Sequence, residues 1–224
     1  MSQTVLITGT NRGIGLELCT QLKQRGMNVI ATCRHSSPAL NALGVEVIEN
    51  VEVSDLQSLA NLVDTLGDRR IDWLINNAGI ADGIAMDDLD EESVASCIRM
   101  FKVNSLGPLL TTQALVNNLG EGSKVGIITS RMGSMADNDS GGSYGYRMSK
   151  AAVNAAGKSL SIDLKPHGIA VGILHPGWVR TDMTSHNGLI DTDESAAGLI
   201  ARMDELNLEN TGSFWHTKGD LLPW

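Results

Sequence analysis

Two residues one helical turn apart frame the chemistry open to this chain: Tyr146 and Lys150, in the stretch YGYRMSK at the head of a long segment without a helix breaker. Residues four apart share a helical face and residues six apart do not, so Lys150 pairs with Tyr146 and not with Tyr144. Tyr144 is expected to line or pack on the neighbouring pocket. A phenol has a pKa of about 10, and a nearby ammonium favours the phenolate, so the pairing predicts a lowered pKa for Tyr146 and a usable general acid or base. An oxygen that gains negative charge also needs a stabilising donor. Ser130, closing the run VGIITS, is the candidate, with Ser134 a weaker rival in the same loop.

Side chains so far apart in sequence need a scaffold to gather them. Short apolar runs (TVLITG, NVIATC, VEVIEN, IDWLINN, KVGIITS, IAVGILHPG, GSFWH) alternate with longer periodic ones, from Gly13 to Arg25, LQSLANLVDTL, Tyr146 to Lys165 and ESAAGLIARMDEL. Alternation of this kind requires crossover connections and a parallel sheet covered by helices on both faces. Ligands bind beyond the carboxyl ends of such strands, where the chain places GTNRGIG, NNAG, TSRMG and HPGWVRTD.

The loop TGTNRGIG joins the first strand to the first helix. Gly9 and Gly13 allow a tight turn close to a pyrophosphate, Gly15 allows helix and strand to pack closely, and the helix amino terminus faces the negative charge. No Gly-Lys-Ser/Thr follows, which disfavours a nucleotide kinase. After the second strand an acidic residue would bind ribose hydroxyls, but the chain has Cys33 and Arg34, with Arg12 in the glycine loop. Two guanidinium groups near one ribose suit a 2′-phosphate, so NADPH is expected in preference to NADH.

Composition narrows the classes further. The formal charge of −9 over 224 residues, with basic residues scattered, leaves no face for nucleic acid or an anionic membrane. There is no signal-peptide pattern before Thr4 and no apolar run of membrane-spanning length. Cys19, Cys33 and Cys97 are an odd set without metal spacing, and the five histidines form no metal motif, so a cytoplasmic protein without a metal is expected. DDLDEES, from Asp87 to Ser93, is read as acid at a helix amino terminus and not as a metal cluster. Met132, Met135, Met148 and Met183 flank the site as substrate surface or as filler. The small residues Ala151, Ala152, Ala155, Ala156 and Gly157 would let another helix approach, and Leu221, Leu222, Pro223 and Trp224 are expected to dock.

TGTNRGIG, NNAG, Thr129–Ser130, YRMSK and HPGWVRTD, in this order over almost the whole chain, resemble the short-chain dehydrogenase/reductase family, and GSFWHTKGDLLPW resembles its small carbonyl-reductase-like members grouped with the sniffer and C-signal proteins. The resemblance implies one Rossmann-type doubly wound domain over residues 1–224, with a seven-stranded parallel sheet, and a tetrad of Asn104, Ser130, Tyr146 and Lys150. In such enzymes the asparagine helps hold a water leading from the lysine to solvent, and the lysine reaches the nicotinamide ribose. Cofactor contacts are implied for Gly9, Asn11, Arg12, Gly13, Ile14, Gly15, Arg34, Glu52, Val53, Asn77, Ala78 and Gly79, and for Tyr146, Lys150, Pro176, Gly177, Val179 and Thr181. Glu52 departs from the usual aspartate, the stretch from Ser130 to Tyr146 is longer than usual, and the covering segment between Thr181 and Thr192 is brief, which implies an open mouth. A small carbonyl or alcohol substrate and a homodimer or homotetramer follow from the same resemblance. Two functions stand against each other: an NADPH-dependent carbonyl reductase, or a dinucleotide-binding regulatory protein with little turnover.

Overall fold

Val5, Leu6 and Ile7 in the first apolar run are all fully buried, which a strand achieves only at the centre of a sheet covered on both faces. A computed structural model describes residues 2–224. Its elements are β1 (Thr4–Thr8), α1 (Gly13–Gln24), β2 (Asn28–Thr32), α2 (Pro38–Ala42), β3 (Glu46–Ile48), α3 (Leu56–Leu66) and β4 (Trp73–Asn76). They continue with α4 (Glu91–Phe101), α5 (Gly107–Ala114), β5 (Lys124–Ile128), α6 (Tyr144–Leu164), β6 (Ala170–His175), α7 (Thr192–Glu205) and β7 (Phe214–His216).

All seven strands pair in parallel, in the order β3-β2-β1-β4-β5-β6-β7. Side-chain alternation splits each central strand between two cores. Val5 and Ile7 pack with Leu18 and Leu22 of α1 and Leu199 and Met203 of α7; Leu6 packs with Leu59 and Leu62 of α3 and Val153 and Leu160 of α6. This is the parallel sheet covered on both faces that the strand rhythm predicts, in the doubly wound Rossmann-type form that the resemblance implies. No helix among the described residues is long and apolar enough to cross a membrane.

Helices α4 and α5 were not apparent in the apolar rhythm. Asp90 caps α4: its carboxylate accepts from the Ser93 amide at 2.8 Å, and the Ser93 hydroxyl accepts from the Asp90 amide at 2.8 Å, so the acidic stretch serves a helix end. Between α4 and α5 the chain makes a π-helical turn, Lys102–Leu106, which contains Asn104.

The tail docks on its own chain. The Leu222 amide donates to Phe214 O at 2.8 Å, the Ala136 amide donates to Trp224 O at 2.9 Å, and the Trp224 ring lies 5.4 Å from that of Phe214. Gly157, expected on a helix-facing surface, instead faces the sheet. A Cβ there would stand 2.7 Å from Ile173 Cγ1 and 3.2 Å from Ile127 Cδ1. Gly157→Val is therefore expected to lower the unfolding free energy by about 1–3 kcal/mol, read as a reduced denaturation midpoint in urea.

Candidate active site

The sheet order reverses between β1 and β4, and the loops leaving these strands meet there. The Asn77 side-chain amide donates to Thr8 O at 3.0 Å and Gly9 O at 2.9 Å, while Thr8 Oγ1 accepts from the amides of Asn77 at 3.0 Å and Ala78 at 3.1 Å. The glycine loop and NNAG are thereby one rigid unit. Gly9 has φ of +70°, and a Cβ on it would lie 2.7 Å from Ala78 Cα; at Gly15 a Cβ would lie 2.2 Å from Gly9 O. The first turn of α1 has neither a side-chain cap nor an acidic residue, so its amides are available to an anion. These features fit the pyrophosphate of a dinucleotide.

A cleft of about 580 Å³ opens over the ends of β5 and β6. Its walls include Ile14, Ser130, Tyr146, Pro176, Gly177, Val179 and Thr181, so residues expected at the proton-transfer site and at the cofactor share one space. Ser134, the weaker rival to Ser130, is not in it; its hydroxyl accepts from the Asp137 amide at 3.2 Å. Met132 and Met183 line the cleft, whereas Met135 and Met148 do not. Tyr144 stands outside, its hydroxyl 3.4 Å from Met86 Sδ. The segment after Thr181 folds back on itself, with the Thr184 hydroxyl donating to Val179 O at 2.7 Å, and leaves Trp178 and Met183 half exposed at the mouth.

Lys150 lies one turn behind Tyr146, its Nζ 5.7 Å from the ring centroid and donating to Ile128 O at 3.0 Å. Burial lowers its pKa from 10.5 to about 8. The expected depression of Tyr146 is not found. Burial of the phenol raises its pKa, and the opposing influence is a hydrogen bond with Ser130, not the lysine charge. Although Tyr146 is only half-buried as a residue, its ring is crowded enough for desolvation to dominate. The consequence is a group that stays a phenol, a proton donor, through neutral pH. Asn104 is buried, bonded by its amide to Ile80 O at 2.8 Å and Ser149 Oγ at 3.0 Å, and accepts from the Ile80 amide at 2.8 Å. It is thus not spent on its own turn. A Cβ on Gly79 would lie 3.3 Å from Asn104 Oδ1 and 3.8 Å from Lys150 Nζ, so these three positions converge.

Sequence reasoning passed over His175, counted there among dispersed histidines. It ends β6, lines the cleft, and its Nδ1 accepts from the Arg131 amide at 3.2 Å, while the next amide, Met132, donates to Ser130 Oγ at 3.1 Å. Its place at the head of HPGWVRTD was the available signal. Arg131, Asp137 and Arg147 also line the cleft unforeseen, the first two as an ion pair.

At the ribose end both expected guanidinium groups have carboxylate partners. Arg34 lies 3.6 Å from Glu52, and Arg12 reaches across to Asp182 at 2.8 Å. Glu52 also accepts from the Ser54 hydroxyl at 3.0 Å, and Val53 packs where a Cβ on Gly107 would meet it at 2.8 Å.

This arrangement, a dinucleotide cradle joined to a buried lysine and a tyrosine–serine pair, defines an oxidoreductase of the Rossmann type. The sequence model of the short chain dehydrogenase family matches residues 3–189, and the chain belongs to that family. It is 39% identical to 1-hydroxy-2-glutathionyl-2-methyl-3-butene dehydrogenase of Rhodococcus sp. over 99% of both chains. It is 44% identical to C-signal of Myxococcus xanthus over 69% of this chain and 93% of that one. Carbonyl reductase Sniffer of D. melanogaster superimposes with a TM-score of 0.90 at 28% identity, covering 100% of both chains. A carbonyl reductase from Pseudomonas aeruginosa in complex with NADP does so with a TM-score of 0.88 at 32% identity, again covering 100% of both.

The lowered Lys150 pKa links stability to pH. From about 8 to 10.5 the unfolded chain holds the lysine proton while the folded chain has released it, so stability rises with pH across that window. Cys19, pushed by burial from 9.0 to about 12, acts in the opposite sense at the upper end. Urea denaturation of wild type against Lys150→Met isolates the lysine: the variant is expected to lose the rising component, and parallel pH profiles would refute it.

Proposed function

We propose that the protein is an NADPH-dependent carbonyl reductase that converts an aldehyde or ketone to the alcohol. The observation that carries this reading is the Ser130–Tyr146 pair in one cleft with Ile14 of the glycine-loop helix and the Pro176–Thr181 segment. When bound, the nicotinamide supplies a hydride to the carbonyl carbon. Ser130, whose oxygen already accepts from the Met132 amide, directs its own proton outward and stabilises charge on the carbonyl oxygen. Tyr146, kept as a phenol by burial, delivers the proton to that oxygen. Lys150 holds positive charge behind Tyr146 and reaches the nicotinamide ribose, and Asn104 supports the relay that returns a proton from solvent.

For the adenosine end, Arg34 exchanges Glu52 for the 2′-phosphate. Exposed ion pairs contribute only about 0–1 kcal/mol, so a dianion displaces the carboxylate readily. The NADP complex of the similar Pseudomonas enzyme supports the same preference. We read residues 1–224 as one catalytic domain, cytoplasmic, acting on a small molecule as a homodimer or homotetramer; Val94, Ile98 and Phe101 form an exposed apolar stripe on α4 suited to a second copy. The alternative, a regulatory dinucleotide-binding protein, draws on the similarity to C-signal. It leaves the Ser130–Tyr146 pair without a task.

Tyr146→Phe is expected to cut carbonyl-dependent NADPH oxidation by about 10²–10⁴-fold while NADPH still binds. Equal turnover in both proteins would refute the assignment, and cofactor binding without turnover in either would favour regulation. Arg34→Asp removes a charge-assisted contact and is expected to shift the NADPH/NADH preference by about tenfold to a hundredfold toward NADH, measured as the ratio of kcat/KM values.

A further inference from the structure

Two side chains at the ends of neighbouring strands are oriented by consecutive backbone amides. Arg131 N donates to His175 Nδ1 at 3.2 Å and Met132 N donates to Ser130 Oγ at 3.1 Å. In each case the amide occupies a lone pair and leaves the remaining proton to point elsewhere. For Ser130 that proton serves the carbonyl oxygen. For a neutral imidazole whose Nδ1 accepts, the proton sits on Nε2. His175 lines the cleft, and Nε2 has no hydrogen-bond partner among the described residues.

The ring is also held in a single protonation state. Its pKa is lowered to about 3, by burial first and then by the charges of His216, Arg131 and Lys150, against a weaker opposing influence from Asp137. His216 packs edge-on at 4.9 Å between ring centroids, which fixes the imidazole plane. Thr129 N donates to Leu174 O at 2.8 Å, so the ends of β5 and β6 stay in register. Paired strands lie about 4.8 Å apart, which puts Ser130 and His175 within the span of one small molecule.

Building on the carbonyl reductase reading, we propose that His175 is a specificity-determining residue. Its Nε2–H donates to a second oxygen of the substrate, beside the carbonyl that Ser130 and Tyr146 hold. The substrates favoured are then carbonyl compounds with an adjacent oxygen acceptor, vicinal diketones foremost.

Benzil and deoxybenzoin, which differ by one carbonyl oxygen, test this. His175→Asn keeps an acceptor near Nδ1 for the Arg131 amide but has nothing at the Nε2 position. The variant is expected to lose about tenfold in kcat/KM for benzil, mostly through KM, with deoxybenzoin within about twofold of wild type. An equal fall for both substrates, as from simple loss of structure, overturns the proposal, and so does no change for either. Benzil binding to NADP-loaded Tyr146→Phe, which requires no turnover, is expected to weaken about tenfold when His175→Asn is added. Unchanged affinity, or no binding before that substitution, overturns it as well. A wild-type protein that binds benzil but reduces neither ketone strikes at the reductase reading alone, and the binding comparison then decides the role of His175.

Discussion

Lys150 carries an ammonium group into the interior, where Ile128 O at 3.0 Å is its one hydrogen-bond acceptor among the described residues. Taking such a charge out of water is costly, and the depressed pKa records that cost. The group stays there because its helix cannot retreat. At Gly133 the loop after β5 touches the backbone of Lys150, where even a Cβ would come within 2.6 Å, and at Gly145 α4 approaches so closely that a Cβ would meet Met100 at 2.4 Å. The buried lysine is thus sustained by packing supplied elsewhere in the fold, and Tyr146, one turn earlier, takes its position from the same confinement.

The strand ends complete the arrangement by joining distant parts of the chain. Thr8 and Asn77 tie the cradle to the sheet's point of reversal, and the turn after β5 orients Ser130 and His175 together. Every one of these contacts uses a backbone group of a loop that follows a strand.

How much of this was legible in the sequence follows from where the apolar residues point. The strands were readable because both faces are buried, so Val, Ile and Leu run uninterrupted. Helix α4 showed only through the acid at its amino terminus, because its buried face carries Ser93, Ser96 and Met100 while Val94, Ile98 and Phe101 face outward, and α5 escaped because it buries Gly107, Pro108, Thr111 and Thr112. Tyr146, Lys150 and Ser130 could be picked out by type and spacing, and Asn104 only through the family resemblance. The direction of the Tyr146 shift could not, since spacing registers a neighbouring charge but not the desolvation that outweighs it. Nor could the partners of Arg12 and Arg34, because Asp182 and Glu52 are brought near by folding and not by position in the chain.

The π-helical turn at Lys102–Leu106 adds a constraint of a different sort. It accommodates one residue more than regular winding would, and Asn104 reaches Ile80 and Ser149 from within that surplus. Losing a single residue here would restore an ordinary helix and swing whatever followed by about 100°, carrying the asparagine off its neighbours. What descendants of this chain must preserve along the stretch is therefore its length as much as its spelling: the smallest excision would yield a tidier helix with Asn104 turned away from Ile80 and Ser149.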